Sequence, residues 1–269
     1  MHVGILTSTD VRHCYVVNAL RRRCEVSAVC YQDVGYHPAR TAAGEIDEST
    51  AAVLKHHFEE RRRQEEAFFG HDAARVENSP ACGVRVVDAG TLNTEETLAF
   101  LRDCGAEAAV VYGTGLIKSP LLEAFSGRML NMHLGLSPYY RGTATNFYPL
   151  LNGEPEYVGA TIHLIDAGID SGPIVHHARP EITAEDMPHT VGCKAILAGI
   201  EKLVQALDEL AAGTLVAVPQ WEVENPRLYL RKDYHPSQVV RLYERIEAGL
   251  FPDYLARKHR VENAMRLIP

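Results

Sequence analysis

Short apolar runs alternate with segments of helical periodicity through the first 130 residues, and that alternation leaves few architectures open. HVGILT reads as a buried strand. From Val11 to Arg23 the apolar residues Val16, Val17 and Leu20 fall at helical spacing, with Asp10 placed to cap the first turn. EVSAVCY is a second strand and GVRVVDAG a third, followed by a helix from about Thr94 to Asp103 whose first turn is acidic. AEAAVVYG and MLNMH complete the series. Strands joined by helical crossovers pair in parallel. The expected class is therefore α/β: a Rossmann-like, mostly parallel sheet with helices on both faces and a small C-terminal appendage.

Residues 45–70 do not fit a compact crossover. They read as one long amphipathic helix with Val53, Leu54, Phe58, Phe68 and Phe69 as buried positions. A packed excursion is the expectation, with a partner-facing element as the other reading. After residue 150 come two extended runs, VGATIHLID and GPIVHHARPEI, then a helix from about Thr190 to Ala212. The tail holds strand candidates TLVAVPQ and RLYLR and a helix from Ser237 to Glu247. The expected division is a catalytic domain over 1–212, with a helical insertion over about 45–80, and an appendage over 213–269.

The formal net charge of −8 disfavours a nucleic-acid partner, because phosphate binding draws on clustered Lys and Arg. The cluster Arg61 to Arg63 is surrounded by Glu59, Glu60, Glu65 and Glu66 and reads as a salt-bridged helix face. Six cysteines show no CxxC and no paired metal spacing, the first residues do not read as a secretory signal, and no apolar run is long enough to span a membrane. These features point to a reducing cytoplasm, no membrane partner and no metal.

The densest chemistry lies between Met129 and Ile174. A strand ends in Asn131-x-His133, and residues two apart on a strand share a face. The carboxyl end of such a sheet is where open α/β folds place ligands. Behind it, GLSPYYRGT sets a fixed turn and supplies Arg141. Thr161 and His163 again share one strand face, and DAGIDSGP is a glycine-punctuated loop presenting Asp166 and Asp170.

Taken alone, a strand histidine is usually a satisfied structural residue, and a DxGxD loop resembles a calcium site or a plain turn. The spacing supplies too few oxygens for an EF-hand. Together, amide, imidazole and carboxylate suit acyl transfer without a covalent intermediate. Asn131 and a protonated His133 can donate to a developing oxyanion, and Asp170 can shuttle the proton that the amine loses. A carboxylate beside His133 is expected to raise its pKa.

NMHLGLSPYYRG followed by GATIHLIDAGIDSGPI resembles the folate-dependent formyltransferase family: the catalytic domain of methionyl-tRNA formyltransferase, glycinamide ribonucleotide transformylase and the sugar N-formyltransferases. The likeness is sharp over 106–182 and looser before it. It implies that Asn131, His133 and Asp170 are catalytic and that 10-formyltetrahydrofolate is the donor. It also implies that VVYGTGLIKSP walls the folate pocket through Gly115, Leu116 and Ile117, with the loop carrying Asp166, Gly168 and Ile169 over the other pterin edge. The chain departs from the family pattern at Gly135, at Leu136-Ser137-Pro138 and at Thr143-Ala144-Thr145, which argues against a purine-pathway role.

In this family the loop after the first strand helps build the acceptor side. Here it presents Ser8, Thr9, Asp10, Arg12 and His13, suited to an anion at a helix N-terminus or to plain solvation. Arg141, Thr161 and His163 join them as acceptor-side candidates. The expected acceptor is a small-molecule amine, an amino-sugar nucleotide or an amino-acid-like amine. A hydrolase of the same donor and a non-catalytic folate-binding module are the alternatives. TSTD after the first strand lacks the glycine fingerprint of a nicotinamide enzyme. A homodimer through the tail or the 45–70 helix stays open.

Overall fold

The computed structural model describes residues 1–33, 46–88 and 90–269. β1 (His2–Thr7) leads through α1 (Val11–Arg21) to β2 (Glu25–Gln32), and α2 (Glu48–Phe69) precedes β3 (Gly83–Val87). α3 (Glu95–Asp103), β4 (Ala108–Tyr112), α4 (Leu121–Ala124) and β5 (Met129–Leu134) follow. These five strands are parallel, in the order β3-β2-β1-β4-β5. β7 (Ala160–Leu164) runs antiparallel beside β5, and β8 (Ile174–Ala178) closes that side, antiparallel to β7. A separate small sheet pairs β6 (Tyr140–Gly142) in parallel with β9 (Arg227–Tyr229).

Burial explains why these strands read as continuous apolar runs. Ile5, Val29, Val110, Leu130 and Met132 face α1 and α6 (Pro188–Ala212), where Val16, Val17, Leu20 and Ile200 pack. Leu6, Cys30, Val111 and Met129 face Leu98 and Leu101 of α3 and Leu121 of α4. A sheet covered on both sides has no solvent face to alternate with. Each fully buried Leu, Ile or Val contributes about 1.5–3 kcal/mol.

Element ends carry the corrections. Asp10 stands at the N-cap of α1, yet its side chain makes no capping bond and accepts from Arg12 instead, at 3.2 Å. Thr94 caps α3 through Thr97 N, as a Thr at that position should. The long helix starts at Glu48, because the Asp47 carboxylate takes Thr50 N at 2.9 Å. Glu45, the expected start, and Ala89 of the third strand run lie outside the described residues. Leu54 and Phe69 are buried as expected, but Val53, Phe58 and Phe68 are only half-buried and His57 takes the remaining buried place. The cause is packing: α2 lies against α1 and α6 as well as α7 (Ser237–Glu247), so the insertion is an integral layer.

The tail wraps back over the main domain. TLVAVPQ does not form the expected strand; Val218 alone bridges to Ile174. Farther along β8, His177 N donates to Ile268 O, so separate pieces of tail cover the outer strand edge. α5 (Tyr148–Asn152), α7 and α8 (Leu250–Asn263) bury Tyr148, Leu150, Leu242, Phe251 and Tyr254 in a third cluster, joined by Tyr140 from β6 and by Val191 and Ala195 of α6. No helix among the described residues is long and apolar enough to cross a membrane.

Candidate active site

The antiparallel register of β5 and β7 sets Asn131 opposite His163 and His133 opposite Thr161, so four polar side chains share one face at the carboxyl end of β5. Asp170 closes the group from the β7–β8 loop. Its Oδ1 lies 3.2 Å from Asn131 Nδ2 and 3.6 Å from His163 Nε2. Its Oδ2 lies 3.3 Å from His133 Nδ1 and accepts from Gly142 N at 3.0 Å.

Local chemistry shapes that loop. Asp166 Oδ1 accepts from Gly168 N at 3.0 Å and from Ser171 Oγ at 2.8 Å, an Asx-type turn. At Gly172 a Cβ would stand 1.8 Å from Leu164 O, so only glycine fits. Gly168 is exposed and Ile169 half-buried.

The nitrogen of Asn131 sits 3.0 Å from His163 Nε2, which therefore accepts; His163 Nδ1 then carries the proton and donates to Leu164 O at 2.9 Å. Thr161 is buried and fully used, accepting from Ser137 N at 2.9 Å and donating to Gly135 O at 2.6 Å. It holds the loop that follows β5. His133 Nε2 lies 3.0 Å from Tyr140 O and 3.4 Å from Thr145 Oγ1.

Charge in the site corrects one expectation. Burial lowers the pKa of His133, and the counteracting pull of Asp170 and Tyr140 O does not restore it. Burial alone would raise the pKa of Asp170, but His133, His163 and the Gly142 N–H bring it well below the ordinary carboxylate range. The resting site is a neutral imidazole beside an ionised carboxylate. Arg141 has its Nε buried without a hydrogen-bond partner among the described residues, and its charge lowers the His133 pKa further.

Other sequence candidates fall in different surroundings. In the loop after β4, Leu116 is 54% exposed while Ile117 is buried in the core under α3 and α4. Gly115 N donates to Gln32 Oε1 at 2.8 Å, and Asn93 spans Leu116 O and Lys118 N at 2.9 and 2.7 Å. Ser8 is buried and Thr9 exposed. Arg12 is held by Glu65 of α2 at 2.7 Å as well as by Asp10, so its charge is already paired. His13 is buried against Tyr112 at 4.8 Å between ring centres, and burial, then Arg12 and Arg61, keep it neutral.

Sequence reasoning missed Gln32, Asn93, His177 and Gln220. His177 Nδ1 accepts from Ile268 N at 2.9 Å, which puts its proton on Nε2, 2.7 Å from Ser137 O. Gln220 Nε2 donates to Asp170 O at 2.7 Å and to Gly172 O at 3.0 Å. Each contact links residues remote in sequence, so no local motif marks them. No group of metal-ligating side chains occurs among the described residues.

A sequence model described as formyl transferase matches residues 39–207. The chain belongs to the formyl transferase family. Among curated relatives, the methionyl-tRNA formyltransferase of Synechocystis sp. is 37% identical over 131 residues, covering 48% of this chain and 39% of that protein. The chain thus spans about two fifths of that relative's length. A phosphoribosylglycinamide formyltransferase from Anaplasma phagocytophilum superposes with a TM-score of 0.55 at 14% identity, covering 86% of this chain and 97% of that one. An N-formyltransferase from Helicobacter canadensis, solved with folinic acid and dTDP-3-aminofucose, gives 0.53 at 15% identity, covering 90% and 80%. These two likenesses establish a shared formyl transferase fold.

Proposed function

We propose that the chain transfers a formyl group from 10-formyltetrahydrofolate to an amine of a small molecule, with Asn131, His133 and Asp170 around the reacting carbonyl. The observation that carries this reading is the meeting of those three groups, since Asp170 lies 3.2 Å from Asn131 and 3.3 Å from His133. The neutral imidazole can accept the attacking amine's proton once one of its ring contacts, Nε2 to Tyr140 O or Nδ1 to Asp170, opens, and the ionised Asp170 stabilises the imidazolium so formed. The proton then returns to the leaving nitrogen. Both amide hydrogens of Asn131 are engaged at rest, so donation to the formyl oxygen requires the longer bond, to Asp170, to yield.

The exposed Leu116 beside backbone groups fixed by Asn93 and Gln32 fits the flat apolar face and polar edge of a pterin. The Asp166–Asp170 loop faces it as the second wall in this reading. Arg141, whose Nε has no hydrogen-bond partner among the described residues, is the cation for an anionic part of the acceptor. Arg12, already paired, contributes to the acceptor side by holding α2 in place.

A second reading, a tRNA acceptor, is favoured by the names of the curated relatives. The net charge of −8, and the pairing of Arg61 with Glu65 and of Arg63 with Glu60, favour the small molecule. The test is an acceptor screen: protein and 10-formyltetrahydrofolate with amino-sugar nucleotides, amino acids, small amines and aminoacylated tRNA, read as mass gain of one formyl group. Formylation of a small amine, lost in His133→Ala, supports the proposal. Formylation of tRNA alone overturns the acceptor class, and formate release without any formylated product overturns the transfer.

A further inference from the structure

Asp170 is one of two non-glycine residues with positive φ among the described residues, at +47°. Backbone of this kind persists only where its surroundings hold it. Ser137 Oγ reaches Asp170 O only at 3.5 Å, and the shorter hold comes from the segment after α6. Gln220 sends one amide hydrogen to Asp170 O at 2.7 Å and the other to Gly172 O at 3.0 Å. These carbonyls flank Ser171, whose own hydroxyl is turned to Asp166. Gln220 thus spans the turn from outside.

The segment carrying Gln220 is itself in register with the sheet. Ile174 N donates to Val218 O at 2.8 Å, and Val218 N returns a bond to Ile174 O at 2.7 Å. Ile174 begins β8, at the end of the same loop. The loop is therefore fixed at its base by a two-way bridge and at its turn by an amide clamp. Residues 218 and 220 both lie beyond the 39–207 stretch that matches the family.

We infer that Gln220 is a positioning residue for the transfer site, holding the backbone of Asp170 in the left-handed turn that aims its carboxylate at Asn131 and His133. The inference deepens the proposed formyl transfer and rests on it for its catalytic meaning. Without the clamp the turn relaxes toward negative φ, and the carboxylate swings away from Gly142 N and His133. Gln220 is half-buried and belongs to none of the apolar cores, so the fold survives its loss. Gln220→Glu keeps the shape but replaces donors with acceptors against two carbonyls.

The deciding measurement needs no turnover. NMR titration of the His133 ring follows the carboxylate directly, because Asp170 raises its pKa while His163 and Arg141 lower it. Gln220→Ala and Gln220→Glu are expected to move the His133 midpoint down, in the direction of Asp170→Asn. Adding Gln220→Ala to Asp170→Asn should move it no further, since the clamp acts through Asp170. A wild-type midpoint in Gln220→Ala, or a shift that adds to that of Asp170→Asn, overturns the inference.

With an acceptor in hand, kcat should fall about tenfold to a hundredfold while the donor KM stays within about threefold. A loss confined to KM, or a loss explained by a lower melting point, also overturns it. Should the wild-type protein transfer no formyl group at all, the functional reading fails and the titration still decides the role of Gln220.

Discussion

Two stretches of the same sheet edge use polar groups in opposite ways. At the end of β5, Asn131, His133, Thr161, His163 and Asp170 satisfy one another and the loops around them. At the end of β1 and β4, under α2, Arg12, Arg61 and Glu65 form a shared ion pair, while His13 Nδ1, His57 Nδ1, Tyr112 OH and His189 Nε2 are buried without a hydrogen-bond partner among the described residues. In the first region the groups converge where the proposed transfer needs them, with the Asn131–Asp170 bond left to open. The second is held by one carboxylate and leaves polar atoms unsatisfied, which opposes folding. The contrast separates a region suited to chemistry from one whose stability depends on α2.

Breaking the first region should have the largest effect. Asp170→Asn removes the charge that His133 faces and is expected to lower kcat by about 10²–10⁴-fold with the melting point little changed, read by single-turnover transfer and calorimetry. A change below about tenfold would demote Asp170 to a loop residue.

Breaking the second should show in stability. Glu65 and Arg12 are each less than one-fifth exposed at the side chain, so Glu65→Ala takes the shared carboxylate from Arg61 and leaves Arg12 with the more exposed Asp10. A loss of about 3–5 kcal/mol is expected in urea unfolding. A loss under about 1 kcal/mol, typical of an exposed pair, would show that the cluster is solvated.

Acid sharpens the comparison further. Burial pushes His177 and His189 from 6.5 down to about 4, and His57 down to about 3. Between pH 6.5 and 4 the unfolded chain binds protons at these positions that the folded chain does not, so stability must fall as pH drops through that window. Each group contributes a slope of about 1.4 kcal/mol per pH unit, less where rings are neighbours, as with His57 and His189 at 4.4 Å between centres. Denaturant midpoints across that range check it; flat stability would mean these rings are not buried neutral.

The smallest effect on the fold is expected at Leu116. Leu116→Ala should change stability by less than about 0.5 kcal/mol while raising the donor KM several-fold. An unchanged KM would remove Leu116 from the folate pocket.

The parallel sheet was legible because fully buried strands such as AEAAVVYG and HVGILT leave unmistakable apolar runs between amphipathic helices. Asn131 and His133 were legible because strand geometry alone puts them on one face. The sign of the His133 shift was not, since burial depends on the whole tertiary shell around the ring. Nor was α8, which the sequence pattern left unassigned. In the structure Gly249 takes φ of +98° at the N-cap, and Pro252 falls in the first helical turn, where no N–H bond is lost. Val218 and Gln220 read as part of a strand candidate, TLVAVPQ; the tail pieces that share the β8 edge are set by packing across the molecule.

The most direct test of the central claim is a crystal structure with 5-formyltetrahydrofolate, which holds the formyl group without transferring it. The account predicts the pterin against Leu116 and the folate nitrogens that flank the formyl group within hydrogen-bonding reach of Asn131, His133 or Asp170, about 2.6–3.2 Å or one water away. A folate bound elsewhere, or one whose reacting end lies beyond that reach, would contradict it.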